Sequence, residues 1–201
     1  MRSKTTVEHP EQKPVKLDIG CGMFKRDGYT GVDRLPFKGV DVVCNVEKGL
    51  PFKSNSIDEI YTSHFLEHTN NFIFIMEEFY RVLKPNGILE IKVPHWASFL
   101  AYSEYHVRFF TLFSFQEFDD GYPIVFRSSD KARFKILKRR FMYSGGRFTK
   151  PYAKVMNMLA NIKPEYFEAY VSQFFPPKEI YFKLKAIKGS KKKLQVTLMM
   201  S

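Results

Sequence analysis

Short apolar runs separated by polar turns recur along the first half of the chain and predict five strands. The first, Val15 to Ile19, is apolar and leads directly into Gly20. The other runs are equally short, and they are rich in β-branched residues or alternate between apolar and polar positions. They are Tyr29 to Val32, Val40 to Val46, Ser56 to Ser63 and Ile88 to Val93.

One segment of the first half has the period of a helix. Apolar residues recur at helical spacing from Phe72 to Leu83, and Asn70 or Asn71 is placed to cap the start. The turn-forming run Lys84 to Gly87 is expected to end this helix. Strands that alternate with crossover segments predict a parallel sheet that is covered on both faces.

The second half of the chain is less regular. An aromatic excursion from Trp96 to Phe110 precedes a predicted helix that begins at Thr111 or Ser114 and ends at Asp119. Helical spacing returns from Tyr152 to Phe175 and is interrupted at Pro164. Three further strands are predicted, the last two as an antiparallel pair: Phe134 to Met142, Glu179 to Ile187 and Lys193 to Met200.

Length and composition predict one domain. With 201 residues, 44% of them hydrophobic, the chain can bury one good core. We expect a single domain over 1–201, with insertions on the substrate side at 96–130 and 145–178. No apolar run approaches the roughly 20 residues that cross a bilayer. Because Met1 to Pro14 lacks the apolar segment of a secretory signal, a cytoplasmic location is expected.

Cysteine spacing and charge narrow the range of partners. Cys21 and Cys44 have no partner at metal or redox spacing, so they are expected to be reduced and structural, and no metal site is predicted. The net charge of +11 is concentrated in Lys131 to Arg140 and Lys183 to Lys193. Such a balance favours anionic partners, namely nucleic acid, phosphorylated metabolites or a membrane surface, with a solvated basic face as the alternative.

Polar or glycine residues stand at the ends of successive predicted strands. Open parallel sheets bind ligands outside the carboxyl ends of their strands. Gly20 and Gly22 follow the first strand, where missing side chains let a ligand approach the backbone closely. Asp33 ends the second strand, where a carboxylate can accept both hydroxyls of a ribose. The next strand ends carry Asn45, Ser63 and His64.

The segments LDIGCG, SIDEIYTSHFLEH and EEFYRVLKPNGILEIKVPH resemble class I S-adenosylmethionine-dependent methyltransferases. They are most similar to the group with an LEH motif and an RVLKPGG helix end, and the resemblance covers Lys16 to His95. It implies an α/β fold, a Rossmann-like three-layer sandwich with a mostly parallel seven-stranded sheet and an antiparallel last strand. It also implies S-adenosyl-L-methionine as cofactor and S-adenosyl-L-homocysteine as product.

The resemblance also assigns cofactor-binding roles. The first motif is expected to surround the methionine part of the cofactor, Asp33 to bind the ribose, and the pair Asn45 and Val46 to contact the adenine. Ser63 and His64 match the segment under the methionyl group. The implied cofactor-binding residues are Asp18, Gly20, Cys21, Gly22, Asp33, Arg34, Asn45, Val46, Ser63 and His64.

Two departures from the family pattern concern the first motif. Phe24 stands where a third glycine is expected, and only eight residues, Met23 to Thr30, precede Gly31. At about 1.5 Å per residue, these eight cannot form a helix that runs back along a strand. Without a helix N-terminus, the methionine carboxylate is expected to rely on Lys25, Arg26 or a residue of an insertion.

Histidines near the end of the fifth strand are candidates for catalysis. Methyl transfer is an in-line displacement that needs alignment and, for some acceptors, a base, which a neutral histidine can supply. His95 directly follows the fifth strand and is the first candidate, with a role in lining the core as an equal alternative; His106 is the second. His68 is expected to orient the loop after the fourth strand together with Glu67.

The sequence thus predicts methyl transfer to O or N of an anionic acceptor, either a small molecule or a glycan precursor. Two alternatives stay open: an RNA methyltransferase and a non-catalytic, cofactor-binding or RNA-associated protein on the same scaffold. A nicotinamide-dependent oxidoreductase is disfavoured because Lys25 stands where the third glycine of its G-x-G-x-x-G turn would be. The oligomeric state is left open.

Overall fold

Seven strands form one sheet in a computed structural model that describes residues 13–189 apart from 124 and 126. Their order is β3-β2-β1-β4-β5-β7-β6, and β7 runs antiparallel to both of its neighbours. The strands are β1 (Lys16–Ile19), β2 (Thr30–Asp33), β3 (Val42–Val43), β4 (Ile57–Ser63), β5 (Leu83–Pro94), β6 (Phe134–Met142) and β7 (Glu179–Ala186). The predicted fold class is confirmed, whereas the strand predicted from Lys193 to Met200 lies outside the described residues.

Three α-helices connect these strands: α1 (Phe72–Val82), α2 (Lys150–Leu159) and α3 (Pro164–Tyr170). The α1 helix follows β4, and the other two lie between β6 and β7. The helical spacing predicted from Tyr152 to Phe175, with its interruption at Pro164, is therefore confirmed as far as Tyr170; residues 171–175 form turns. In the described part of the chain, no helix has the length and apolar character of a membrane span.

The core lies on the sheet face that carries α1 and α3. From α1, Phe79 is fully buried and Tyr80 meets Phe134 of β6 edge-on, with 5.6 Å between ring centroids. From α3, Phe167 contacts Phe141, with 5.4 Å between centroids. In the β6–β7 ladder, Phe134 pairs with Ala186 and Phe141 pairs with Ile180. Both pairs lie on the same buried face of the sheet. The two helices therefore share this face.

The other face of the sheet is polar and half-buried. Glu59, Tyr61 and Glu90 stand on it, and the guanidinium of Arg26 lies 4.5 Å from the centre of the Tyr61 ring and 3.3 Å from the Glu90 carboxylate. The loop between β1 and β2 covers part of this face. Residues 20–29, all of them described, form turns and no helix, as their small number predicted. On this face, a loop therefore takes the place of the helix layer of a three-layer sandwich.

Two predicted elements are shorter than expected. The third strand is only Val42–Val43, because Asn45 accepts a hydrogen bond from the Glu47 N–H (3.0 Å) and caps the 3-10 turn Val46–Lys48. The helix predicted from Thr111 or Ser114 to Asp119 is wrong. Only the 3-10 turn Gln116–Phe118 forms there, and a hydrogen bond from the Thr111 N–H to the Ser114 hydroxyl (2.8 Å) fixes a turn just before it.

The junction of α1 and β5 is tighter than the sequence suggested. The helix ends at Val82, close to its predicted end, but the run Lys84 to Gly87 lies within β5 instead of forming a separate turn. Leu83 already pairs with Ile57, and the register then shifts before the regular ladder to β4 continues. A strand irregularity therefore absorbs the turn residues.

The outer edge of β6 is closed by two asparagines of α2 and the turn after it. Asn157 accepts a hydrogen bond from the Tyr143 N–H (2.9 Å) and donates one to the Tyr143 carbonyl (2.8 Å). Asn161 makes the same pair of bonds with the backbone of Phe141, at 2.9 and 3.0 Å. Since an unpaired strand edge invites association with other chains, these amides protect it.

Candidate active site

The carboxyl ends of β1 and β2 meet in a hydrogen-bonded turn. The Gly22 N–H donates to one oxygen of Asp33 (3.0 Å), and the Leu35 N–H donates to the other (3.0 Å). A carboxylate offers about four acceptor positions, so each oxygen can accept one further hydrogen bond. Asp33 is half-buried. The predicted ribose-binding acid is thus fixed by two backbone hydrogen bonds and can still accept further hydrogen bonds.

The two glycines of this turn differ in their surroundings. Gly20 has φ +71°, and a Cβ there would lie 2.6 Å from the Phe65 side chain. Gly22 has φ +52°, and a Cβ there would meet no described heavy atom within 4 Å, apart from its chain neighbours. Gly20 therefore permits close packing inside the protein, whereas the backbone at Gly22 borders open space. This is the kind of cradle that suits close approach of a ligand.

Asp18 and Cys21 lie under the same turn. Asp18 is buried and accepts a hydrogen bond from the Arg26 N–H (2.7 Å); burial raises the pKa of its carboxyl group, and this hydrogen bond partly opposes the shift. Cys21 is also buried, and the loss of solvation, reinforced by Asp18 and Asp33, raises the pKa of its thiol to about 11. Cys21 is therefore a neutral thiol at physiological pH, in line with the expected structural role.

The two residues predicted to contact the adenine, Asn45 and Val46, follow β3 and differ in exposure. Asn45 is exposed, and its carbonyl oxygen caps the following 3-10 turn while its amide nitrogen has no partner among the described residues. Val46 is 4% exposed and belongs to the core, so its backbone is the part within reach of a ligand. Arg34 is exposed next to Asp33.

His64 carries a positive charge at the end of β4. Its Nε2 lies 2.8 Å from Glu179 Oε1 and its Nδ1 lies 3.3 Å from Glu67 Oε1. The hydrogen bond to Glu179 and the proximity of Glu67 raise the pKa of His64 to about 9, and in return His64 lowers the pKa of Glu179 to about 2. His64 also has φ +51°, an uncommon backbone conformation for a residue with a side chain.

Sequence reasoning missed Glu179, although a signal for it existed. Glu179 begins the strand predicted to be antiparallel, and the start of an antiparallel strand lies at the carboxyl edge of its parallel neighbours. In the structure Glu179 pairs with Pro94 at the end of β5, and Lys92 of the same strand lies 3.4 Å from its carboxylate. The order of strands is needed to place it beside His64.

The cations suggested for the methionine carboxylate are already paired. The Lys25 ammonium contacts both oxygens of Asp41, at 2.9 and 3.1 Å. The Arg26 guanidinium binds Glu90 and lies over the rings of Tyr29 and Tyr61 on the polar sheet face. Neither side chain is poised at the Gly22 cradle in this arrangement.

His95 lies in the core. Its side chain is 0% exposed, its Nε2 lies 3.0 Å from a Glu168 oxygen, and its Nδ1 accepts a hydrogen bond from the Ala97 N–H (3.2 Å). The other oxygen of Glu168 accepts a hydrogen bond from the Trp96 indole (3.1 Å). With both nitrogens engaged, His95 touches no exposed surface, which agrees with the core-lining alternative. Its role as a base stays a prediction.

His106 lies in the segment that returns to the loop after β4. It is half-buried, its Nδ1 lies 3.1 Å from the Ala101 carbonyl, and its ring packs edge-on against His68 with 4.6 Å between centroids. The structure thus separates the two candidate bases: His95 faces α3, and His106 faces the 3-10 turn Leu66–His68. The role of His106 as a base also stays a prediction.

An open cleft of about 380 Å³ lies elsewhere on the molecule, at the edge of β6. It is lined by Gln116, Asp119, Gly121, Tyr122, Ile136 and Arg139. In the sheet order, β6 is three strands from β4, which corresponds to about 14 Å at the usual strand spacing. This cleft is therefore separate from the turn at Gly22 and Asp33.

Comparison with known proteins shows a family match over part of the chain and a similar fold over most of it. Residues 15–91 match the family described as "Methyltransferase domain". A SAM-dependent methyltransferase from Archaeoglobus fulgidus has a similar structure, with a TM-score of 0.56, 19% identity, and coverage of 86% of each chain. The YcgJ protein of Bacillus subtilis gives a TM-score of 0.54 at 15% identity, over 88% of this chain and 93% of that one.

A chain from a Haloferax volcanii complex of the Trm112 methyltransferase activator is similar as well, with a TM-score of 0.58 at 15% identity, over 88% of this chain and 83% of that one. No curated protein sequence matches the chain. The matched family and the fold together cover the strand ends at which the polar residues converge. Residues 15–91 carry the signature of the methyltransferase domain family, and the described chain has the fold of S-adenosylmethionine-dependent methyltransferases.

Proposed function

We propose that this enzyme transfers a methyl group from S-adenosyl-L-methionine to O or N of an anionic small molecule or glycan precursor. The observation that carries the cofactor half of the proposal is the turn in which the Gly22 N–H binds Asp33 while the Gly22 backbone borders open space. A bound cofactor supplies a methyl group on a sulfonium, and the chain supplies its alignment.

Each part of the cofactor has residues suited to it. The free acceptor positions of Asp33 suit the ribose hydroxyls, with Arg34 beside them, and the unpartnered amide of Asn45 with the Val46 backbone suits the adenine edge. The methionine part would lie along the Asp18 to Gly22 turn. Ser63 and His64 at the end of β4 are assigned to its other side, where the ion pair of His64 with Glu179 fixes the strand end.

The acceptor is assigned to the segment that follows β5. Four aromatic side chains in it are more than half exposed, and His106 lies among them in sequence. These residues are Phe99, Tyr102, Tyr105 and Phe109. Aromatic faces at a rim suit a sugar or another partly apolar acceptor, which supports a pocket for a small molecule. The net charge of +11 favours an acceptor that is anionic.

An RNA acceptor is the second candidate, and one observation favours it. Lys135, Lys138 and Arg140 are exposed along β6, and Lys185 of β7 is half-buried opposite Lys135. Such a row of cations suits a phosphate backbone, which binds through several basic contacts and is released by salt. Binding of a single-stranded RNA that weakens steeply between low and moderate salt would support this candidate over a small acceptor.

Thermal unfolding with added ligand tests the proposal. A ligand that binds only the folded state raises the unfolding temperature by mass action. We expect S-adenosyl-L-homocysteine to raise it and NAD to leave it unchanged, and we expect methyl transfer from labelled cofactor to a member of an acceptor panel. Absence of any affinity for S-adenosylmethionine and its product would favour the non-catalytic alternative and contradict the proposal.

A further inference from the structure

Three potential metal ligands converge next to the loop after β4. Glu67 and His68 belong to the 3-10 turn Leu66–His68, and His106 comes from the segment after β5. One ligand atom from each of the three lies within 4.8 Å of the others. The sequence does not show this cluster, because 37 residues lie between His68 and His106.

The carboxylate of Glu67 is buried without a hydrogen-bond donor. Its side chain is 1% exposed, and neither oxygen has a hydrogen-bond partner among the described residues. The Nδ1 of His64 lies 3.3 Å from one oxygen, but it is not aligned for a hydrogen bond, and the other nitrogen of His64 binds Glu179. A buried charge is costly unless it is paired or coordinates a metal ion. Glu67 therefore has a charged neighbour in His64 but no hydrogen-bond donor, and a bound cation would engage its oxygens directly.

The two histidines are held in the tautomer that leaves Nε2 free to bind a metal ion. The Nδ1 of His68 lies 3.2 Å from the Tyr105 carbonyl, and the Nδ1 of His106 lies 3.1 Å from the Ala101 carbonyl. A carbonyl only accepts, so each Nδ1 carries the hydrogen, and in the neutral ring the lone pair is on Nε2. Metal-binding histidines commonly donate their other N–H to a backbone carbonyl in this way.

The backbone around the cluster is fixed as well. The Val107 N–H donates to the Glu67 carbonyl (2.9 Å), and the Arg108 guanidinium donates to the Thr69 carbonyl (3.2 Å). These bonds, together with that of His68 to Tyr105, tie the turn after β4 to the segment after β5. The three ligand side chains are therefore brought together by a defined contact between two loops.

We propose that Glu67, His68 and His106 bind a divalent first-row transition-metal ion. Two imidazoles and one carboxylate form a ligand set of the kind found in zinc sites that keep an open position, and imidazole selects such ions over Mg²⁺. At metal–ligand distances of about 2.0–2.2 Å, the ligand atoms would be roughly 3.3–4.2 Å apart. Side-chain shifts of about 1 Å from the present separation would close the site.

The open position would face the exposed side of the cluster. Glu67 is buried, whereas His68 is exposed and Tyr105 beside it is 75% exposed. An ion held there would be accessible to an oxygen atom of an anionic acceptor. That consequence rests on the proposed function, whereas the metal site itself does not depend on it.

Calorimetric titration of the metal-free full chain with Zn²⁺ and Co²⁺ tests this site. We expect one equivalent to bind and millimolar Mg²⁺ not to compete. His106→Ala, His68→Ala and Glu67→Gln should each weaken binding by at least about tenfold, since loss of even an outer-shell partner costs about that much. Glu104→Gln, which removes an exposed carboxylate two residues from His106, is the matched control and should bind as the wild type does.

Two further measurements keep the outcome decisive. Thermal unfolding of each variant reports whether it is folded, and the visible absorption of Co²⁺ on the wild type reports nitrogen and oxygen ligation even if a variant unfolds. Equal affinity in the wild type and the folded ligand variants, an equal loss in Glu104→Gln, or a wild-type Co²⁺ spectrum identical to that of the free ion would overturn the proposal. S-adenosyl-L-homocysteine binding, measured separately, tests the proposed function without the metal.

Discussion

The imidazole of His64 lies 2.8 Å from the carboxylate of Glu179 and joins the end of β4 to the start of β7. The strand between them, β5, is held in the same arrangement, because the His64 N–H donates to the Lys92 carbonyl (3.0 Å) and the Lys92 ammonium lies 3.4 Å from Glu179. Three adjacent strands thus meet in one charged network at the edge of the sheet where the cofactor residues converge.

Acid stability should depend on Glu179. Its pKa is lowered from 4.5 to about 2 by His64, so its stabilisation is complete above the ordinary pKa and is lost as the pH falls toward 2. We expect the unfolding free energy of the wild type to fall by about 1–2 kcal/mol more than that of Glu179→Gln between roughly pH 4.5 and 2. Urea unfolding at several pH values measures this.

His64 does not confound this result, because its pKa of about 9 keeps it charged throughout that range. Glu104→Gln, an exposed position, serves as the control and should follow the wild-type curve. Parallel pH curves for the wild type and Glu179→Gln would contradict the prediction.

Cofactor affinity should depend on Asp33. Asp33→Ala removes the acceptors expected for the ribose and also the partner of the Gly22 N–H. Hydrogen bonds to a charged group are worth about 1.5–3 kcal/mol, so the affinity for S-adenosyl-L-homocysteine should fall roughly 10- to 150-fold in calorimetric titration. Asp27→Ala removes an exposed carboxylate from the β1–β2 loop and should leave the affinity unchanged. A similar loss in both variants would argue against a ribose contact.

The two glycines of the cofactor turn should respond differently to alanine. Gly22→Ala meets only the strain of a positive φ, which costs about 1–2 kcal/mol. Gly20→Ala adds a contact of 2.6 Å with the Phe65 side chain and should destabilise the protein more, as measured by chemical denaturation. Cofactor affinity should show the reverse order of sensitivity, because Gly22 borders the open space. Equal effects on stability would show that Phe65 moves aside freely.

Removal of the Glu168 carboxylate should loosen the core around His95. Glu168→Ala leaves the buried imidazole and the Trp96 indole without an acceptor, at a cost of about 1–3 kcal/mol in unfolding free energy. Because Trp96 is the single tryptophan, its fluorescence should also change. Glu168→Gln keeps one acceptor and should lose less. If Glu168→Ala has the same unfolding free energy as the wild type, the contacts of Glu168 with His95 and Trp96 do not stabilise the fold.

The variant His95→Gln tests whether His95 is the predicted base. If His95 only positions Trp96 and α3, the variant should lose activity in proportion to its loss of stability, and the pH dependence of kcat/KM should not change. If His95 accepts a proton, the variant should show a shifted pH profile even where it is fully folded. The pH profile therefore distinguishes the two roles.

Local patterns were sufficient for much of the fold. The first strand, predicted at Val15 to Ile19, the helical period of α1 and the glycine turn after β1 each depend on neighbours in sequence, so they could be predicted. Chain length alone predicted the absence of a helix between β1 and β2, which the described turns at residues 20–29 confirm. The helix expected before Asp119 failed because tertiary packing of Phe115 and Phe118 overrides a weak local preference.

Periodicity and short motifs were enough to predict the family resemblance, the parallel sheet and the strand ends that carry Gly22, Asp33 and His64. The charge of His64, the burial of His95 against Glu168 and the contact of Glu67 with His106 depend instead on how the chain packs. Each of these is a contact between segments far apart in sequence, and no local pattern encodes such a contact. The pKa of a histidine and its access to solvent are therefore properties of the packed molecule.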